Sequence, residues 1–222
     1  MRGQIVHELL EQLDFGRPAV PGREAIATRL RRAGVTPADA DIDDLEGLVA
    51  NFLGSPLTER LSGCADVLAE LPFAFTLKPG STPGRGLLVT GIVDVRAREG
   101  ETTLVVDYKS DRLGGASPAD LCERRYSTQR GIYALAALRS GAPRVEVVYC
   151  LLERPDELVT AAYTAADADR LERDLVELAA GVIAGRFPVS EHPHRDLCAG
   201  CPGEGGLCSW PLERTRAERD AA

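Results

Sequence analysis

Lysine is almost missing from this 222-residue sequence. Of 26 basic residues only Lys78 and Lys109 are lysine, and the other 24 are arginine. The overall positive charge typical of a self-sufficient DNA-binding domain is also missing, since the formal net charge is −8. No apolar run approaches the roughly 18 residues that a membrane-spanning helix needs. The opening Met1-Arg2-Gly3-Gln4 leads into an amphipathic pattern bearing Glu8, Glu11 and Asp14, which does not read as a signal peptide. The expectation is a cytoplasmic, reducing setting, in which the six cysteines favour metal binding or packing over disulfides. No G-x-x-x-x-G-K-[ST] motif occurs, which removes that route to nucleotide hydrolysis. No internal repeat is visible. What remains, 44% hydrophobic and 27% charged, is a globular balance long enough to bury one core.

The pattern opens with helices. Residues 2–14 place Ile5, Val6, Leu9, Leu10 and Leu13 on one face, and Gly16 to Gly22 breaks the run. A second helix is expected over 23–33. A third follows the start signature Thr36-Pro37-Ala38-Asp39, and Pro56 restarts a short one through Leu61. Near residue 66 the periodicity changes to strand, over 67–77, 87–97 and 102–109, with Arg98-Glu99-Gly100-Glu101 as the turn between the last two. Gly80 to Gly86 reads as a hairpin loop. Ser117-Pro118-Ala119-Asp120 opens a helix that stops at Gly141. Strands over 145–152 and 159–163 follow. Thr164 then caps a helix carrying Leu171, Leu175, Leu178, Val182 and Ile183. This order predicts an α/β fold: a central mixed β-sheet flanked by helices, after an N-terminal helical segment and before a C-terminal cysteine-containing loop. The expected division is a domain over 1–188, with a helical lead-in to 65 and an α/β core from 66, then a Cys-rich loop and charged tail over 189–222.

The chemistry concentrates in Gly91-Ile92-Val93-Asp94-Val95 and Val105-Val106-Asp107-Tyr108-Lys109. Strand residues two apart share a face, so Asp107 and Lys109 point one way while Leu104, Val106 and Tyr108 point the other. On the preceding strand the same rule groups Asp94 with Thr90, Ile92 and Arg96. If Gly100 and Glu101 are the central turn residues, Asp94 lies opposite Asp107, with Cβ atoms roughly 5 Å apart. A turn one residue earlier leaves Asp107 diagonal to Asp94. Adjacent carboxylates stay ionised together only with positive charge between them. A hard divalent cation such as Mg²⁺ supplies it, acidifies bound water and stabilises charge on phosphate, and a lysine supports the transition state. The spacing alone equally suits an exposed hairpin with Asp and Lys for solubility.

Gly91-x-x-Asp94 followed by Asp107-Tyr108-Lys109 resembles the active-site core of the PD-(D/E)XK nucleases. It is more narrowly similar to the RecB-type nuclease domain at the C-terminus of AddA and AddB helicase–nucleases, which has a restriction-endonuclease-like core. Gly3-x-x-x-His7, Glu70-Leu71-Pro72-Phe73 and Gln129-x-x-x-Tyr133 match further motifs of that family in order. The resemblance implies a Mg²⁺- or Mn²⁺-dependent DNA exonuclease, with His7, Asp94 and Asp107 as metal ligands and Lys109, Gln129 and Tyr133 completing the site. Glu70 is either a carboxylate standing behind those ligands or a solvated strand residue. For His7 the alternative is a half-buried helix histidine, and for Gln129 and Tyr133 a helix–sheet contact. Local arginines, Arg124, Arg125 and Arg130, are expected to meet DNA. The position of the histidine motif implies an excised or separately encoded module that works with a helicase domain or helicase–nuclease partner subunit in double-strand break repair. The competing reading is a catalytically silent nuclease-like scaffold that only binds DNA or partner subunits.

Cys198-x2-Cys201-x6-Cys208 lies in a Gly/Pro-rich loop, a spacing suited to metal. AddB-type relatives carry a [4Fe-4S] cluster on four cysteines, the first of them upstream of the histidine motif, and only Met1-Arg2 precedes Gly3 here. His194-x3-Cys198 offers a zinc alternative, and a reduced loop packed around Trp210 is the third reading.

Overall fold

The computed structural model describes residues 2–78 and 86–218. The hairpin loop expected over 80–86 therefore lies outside the described residues except at Gly86. Two compact units make up the chain, Met1–Leu178 and Ala179–Ala222.

In the first unit, four helices come first: α1 (Arg2–Leu10), α2 (Arg23–Arg32), α3 (Asp39–Leu53) and α4 (Pro56–Ser62). Three strands follow: β1 (Ala65–Leu77), β2 (Leu87–Glu99) and β3 (Thr102–Lys109). Next come α5 (Pro118–Arg139), β4 (Arg144–Leu151), β5 (Val159–Thr164), a 3-10 turn (Ala165–Asp167) and α6 (Ala168–Leu178). The strands form one sheet in the order β1-β2-β3-β4-β5. The pairing β3–β4 is parallel and the other three are antiparallel, which makes the sheet mixed, as the element order predicted. The β3–β4 connection contains α5, as a parallel crossover requires.

Burial on both faces of the sheet follows from the central strands. Leu104, Val106 and Tyr108 of β3, with Val148 and Cys150 of β4, pack against Ile5, Leu9, Ile26, Leu45, Phe52 and Leu57 from α1–α4. On the other face Val105, Val147, Tyr149 and Leu151 meet Leu121, Leu135 and Leu138 of α5 and Leu171 and Leu175 of α6. Near-continuous apolar sequence in β3 and β4 is what a strand covered on both sides needs.

The cap residues act locally. Ser117 accepts the Asp120 N–H (3.1 Å) and fixes the start of α5. Thr164 and Asp167 form a reciprocal capping box. Three elements differ from expectation. First, α1 stops at Leu10, because the Leu13 N–H turns back to the Leu10 carbonyl and Asp14 accepts from the Gly16 N–H. Second, Thr36 caps nothing: α3 starts at Asp39 behind Ala38, which makes no side-chain cap bond. Third, the last long helix ends at Leu178, and both Leu178 and Val182 are exposed. Only Leu171 and Leu175, one turn apart, are needed to cover α5.

The second unit carries short helices α7 (Ala180–Ile183), α8 (Arg195–Cys198) and α9 (Leu212–Thr215). The Trp210 indole N–H donates to the Ser190 carbonyl (2.7 Å), and Thr215 and Arg216 both donate to Glu204. No helix among the described residues is long and apolar enough to cross a membrane.

Candidate active site

The register of β2 and β3 is the one that places the carboxylates together. Val95 pairs with Val106, and the ladder runs from there to Glu99 and Thr102. Continued one residue further, it sets Asp94 opposite Asp107. The ladder ends at Val95 because the Asp94 carboxylate enters the gap: the Tyr108 N–H donates to Asp94 Oδ2 (2.8 Å).

The strand is not regular across Asp94. Val93 packs on the α5–α6 face, whereas Val95 and Ala97 pack on the α1–α4 face. Residues two apart share a face only in an unbroken strand. Opposite the break on β1 stands Glu70, with a left-handed backbone (φ 49°) flanked by the pairs Ala69–Val95 and Leu71–Val93. The two strands kink together. This corrects the expected grouping of Asp94 with Thr90, Ile92 and Arg96. Asp94 and Ile92 face a recess of about 430 Å³ that also holds His7, Glu8, Glu11 and Glu70, while Arg96 lines a separate cavity with Val93 and Val105. A left-handed non-glycine residue costs on the order of 1–3 kcal/mol and persists only where its surroundings hold it.

Within the recess, donor atoms of His7, Glu70 and Asp94 all lie within 4.8 Å of one another. His7 Nδ1 is 3.4 Å from Asp94 Oδ1, and its Nε2 is 3.0 Å from the Tyr108 carbonyl oxygen. Helix α1 comes this close to the end of β3 because Gly3 has no side chain; a Cβ there would sit 2.9 Å from Ser110 Oγ. Burial opposes charge on the imidazole, but the Asp94 hydrogen bond and the charges of Asp94 and Asp107 outweigh it, and the His7 pKa is raised. Burial, then Asp94 and Glu11, raise the Glu70 carboxyl.

Asp107 points toward α5. Its Oδ1 accepts from the Tyr133 hydroxyl (3.0 Å) and from Gln129 Nε2 (3.5 Å). Lys109 forms an ion pair with Oδ2 and donates to Gln129 Oε1 (3.0 Å). The ion pair lacks hydrogen-bond alignment, so Asp107 Oδ2 is buried without a hydrogen-bond partner. Burial first, then the charge of Asp94, pushes the Asp107 carboxyl up to about 6 against the pull of Lys109 and Tyr133. A buried oxygen with a free lone pair, two further carboxylates, an imidazole and a backbone carbonyl make an oxygen-rich donor set. That set fits a hard divalent cation better than a soft one.

The remaining sequence candidates lie elsewhere. On α5, Arg125 pairs with Asp111 (2.7 Å), Arg130 pairs with Glu123 (2.8 Å), and Arg124 is exposed with no ion pair among the described residues. In the second unit a Cβ on Gly203 would meet Cys201 Sγ and Cys208 Cβ at 3.8 and 3.9 Å. Even so, Cys198, Cys201 and Cys208 do not form a converging donor group among the described residues. Sequence reasoning missed Tyr126, whose ring lies 4.0 Å from Lys109 Nζ, and Tyr149, at 5.5 Å. The signal was available for Tyr126: it precedes Gln129 by three residues and Tyr133 by seven, on one face of α5.

A mixed sheet whose antiparallel hairpin presents two carboxylates and a lysine, with helices on both faces, defines a class of metal-dependent phosphodiesterase folds. The chain belongs to the PD-(D/E)XK nuclease superfamily, whose family model matches residues 1–205. It is 34% identical over 159 residues to the larger, helicase-bearing polypeptide of the ATP-dependent helicase/nuclease of Desulforudis audaxviator, and 30% identical over 162 residues to its counterpart in Pelotomaculum thermopropionicum. These matches take in 68% and 69% of this chain but 13% of each relative, so the chain corresponds to a small part of those proteins. Among solved structures, a candidate exonuclease of Eubacterium rectale superposes with a TM-score of 0.51 at 9% identity, over 95% of this chain and 75% of that one, a likeness of fold.

Proposed function

We propose that this chain is a Mg²⁺- or Mn²⁺-dependent deoxyribonuclease module, acting as an exonuclease with a helicase domain or partner subunit in double-strand break repair inside the cell. The observation that carries the reading is Asp107 Oδ2: a buried carboxylate oxygen, without a hydrogen-bond partner, on a residue beside a second carboxylate and an ammonium. His7, Asp94 and Asp107 would hold the ion, with Glu70 near enough to join them. Bound there, a divalent cation acidifies water and stabilises negative charge on a phosphate. Lys109 offers a compact ammonium for the same developing charge. Gln129 and Tyr133 fix the orientation of Asp107 and Lys109 through the bonds described above. Arg124, Arg125 and Arg130 are read as backbone contacts to DNA.

The test compares linear and circular, single- and double-stranded DNA with Mg²⁺. Wild-type cleavage is expected to depend on free ends and on the metal. Asp107→Ala and Lys109→Ala are each expected to lower it by at least about a hundredfold. Wild-type rates in both variants, or tight metal-independent binding without cleavage, would establish a scaffold instead. Processing of long duplexes by the isolated chain as fast as by a helicase-coupled enzyme would remove the partner from the reading. Iron or zinc binding by the cysteine loop is tested separately, by elemental analysis of protein purified without oxygen.

A further inference from the structure

Lys109 sits in an aromatic corner that the nuclease reading leaves unexplained. Its ammonium has three N–H donors. Gln129 Oε1 takes one at 3.0 Å, and the Asp107 carboxylate attracts the charge. Its next neighbour is the face of Tyr126, with the ring centroid 4.0 Å from Nζ, and Tyr149 follows at 5.5 Å. The two rings stand 5.7 Å apart and tilt by 32°. Neither is loose. The Tyr126 hydroxyl donates to Asp111 Oδ2 (2.6 Å), and Asp111 is held in turn by Arg125 (2.7 Å). The Tyr149 hydroxyl donates to the Tyr126 carbonyl (3.1 Å). The Lys109 side chain is left 11% exposed.

We propose that Tyr126 is the positioning residue for the Lys109 ammonium, holding it by the negative face of its ring; this rests on the nuclease reading of Lys109. The argument turns on what a metal does to the other partners. A divalent cation on His7, Asp94 and Asp107 draws the Asp107 charge away from Lys109. The ring face is no metal ligand and keeps its attraction for the ammonium at full strength. It also leaves N–H groups free to meet substrate, which a second carboxylate in that place would not. A ring suits this task better than an added acid, because it attracts the cation without accepting its proton. Asp111 and Arg125 then serve to anchor the ring rather than to touch the reaction.

Only two lysines in the chain make the clamp directly observable. In protein labelled with ¹³C at the lysine ε-carbon, metal-free, the Lys109 signal is expected upfield of Lys78, shifted by the Tyr126 ring current. In Tyr126→Leu it should move to the position of the exposed Lys78, and in Tyr126→Phe it should stay. In cleavage assays Tyr126→Leu is expected to lower kcat by roughly 10- to 30-fold, with the DNA KM and the Mn²⁺ midpoint within about twofold. Tyr126→Phe should retain kcat within about threefold, and a difluorinated phenylalanine, equal in size but weaker in its face charge, should fall between. An unshifted Lys109 signal in the wild type overturns the clamp. So do equal rates in the Leu and Phe variants, or a loss that appears in KM alone. Wild-type protein that cleaves nothing removes the nuclease reading instead, and the lysine spectrum still reports separately on the clamp.

Discussion

His7 lies between a carboxylate and a carbonyl, an arrangement that favours the doubly protonated ring. A metal needs the same nitrogen with its lone pair free, so proton and cation compete for one place. Asp107 and Glu70 behave alike, since burial and neighbouring carboxylates raise both. The three shifts share a sign. For Asp107, stability from the bound proton is complete below the ordinary carboxylate range and is lost as pH rises through about 6. For Glu70 the loss likewise begins at the ordinary carboxylate value, and for His7 at the ordinary imidazole value, each continuing through its raised one. The metal-free protein should therefore lose stability between about pH 5 and about pH 8. Added Mn²⁺ or Mg²⁺ should restore more of it at the upper end than at the lower. Thermal unfolding with and without metal at both pH values checks this, and equal metal-induced gains would contradict it.

At the scale of the element, the hairpin of β1 and β2 depends on one close approach. Phe73 lies over Gly91, where a Cβ would come within 2.5 Å of the ring. Gly91→Ala should push the ring out of its contact with Tyr133, whose hydroxyl supports Asp107. A loss of about 1–3 kcal/mol in denaturant unfolding is expected, with a parallel fall in metal affinity. Unchanged stability would show that the ring relocates freely. Much of this site is legible in the sequence. The Asp-x-Lys alternation fixes which side chains share the α5 face, and Gly100, with φ 59°, is a turn residue that sets the register. The kink is not legible. Nothing in Ala69-Glu70-Leu71 announces a left-handed glutamate, and alternation rules presuppose an unbroken strand. Alternation therefore leaves Glu70 between a solvated residue and a supporting one, and gives Asp94 the wrong companions. Tyr126 escapes for a related reason: a helix face can be read from spacing, but what it covers depends on where the sheet lies.

For the whole molecule, both apolar clusters fall between Ile5 and Val176, within the first unit. A chain ended after Leu178 should keep a cooperative unfolding transition and its stabilisation by metal. Calorimetry of that fragment is the measurement, and aggregation or a non-cooperative transition would show that residues 179–222 are needed for the fold. The negative net charge has a place here too. Glu8, Glu11, Glu70 and Asp94 crowd one recess, so the surface nearest the proposed chemistry repels phosphates until a cation arrives. In that arrangement the metal acts as the gate for substrate as well as the agent of cleavage.

The first strand also shapes how this molecule meets others. It is thirteen residues long and lies at the rim of the sheet, with one row of backbone groups unclaimed by any neighbouring strand among the described residues. Such a rim invites a foreign strand to dock and nucleate fibrils. Pro72 removes one amide from the row, and two residues earlier Glu70 swings the backbone out of line and adds a charge. The glutamate that leans toward the cation site thus also spoils a template for aggregation, and a variant chosen only to probe metal binding would test solubility at the same time.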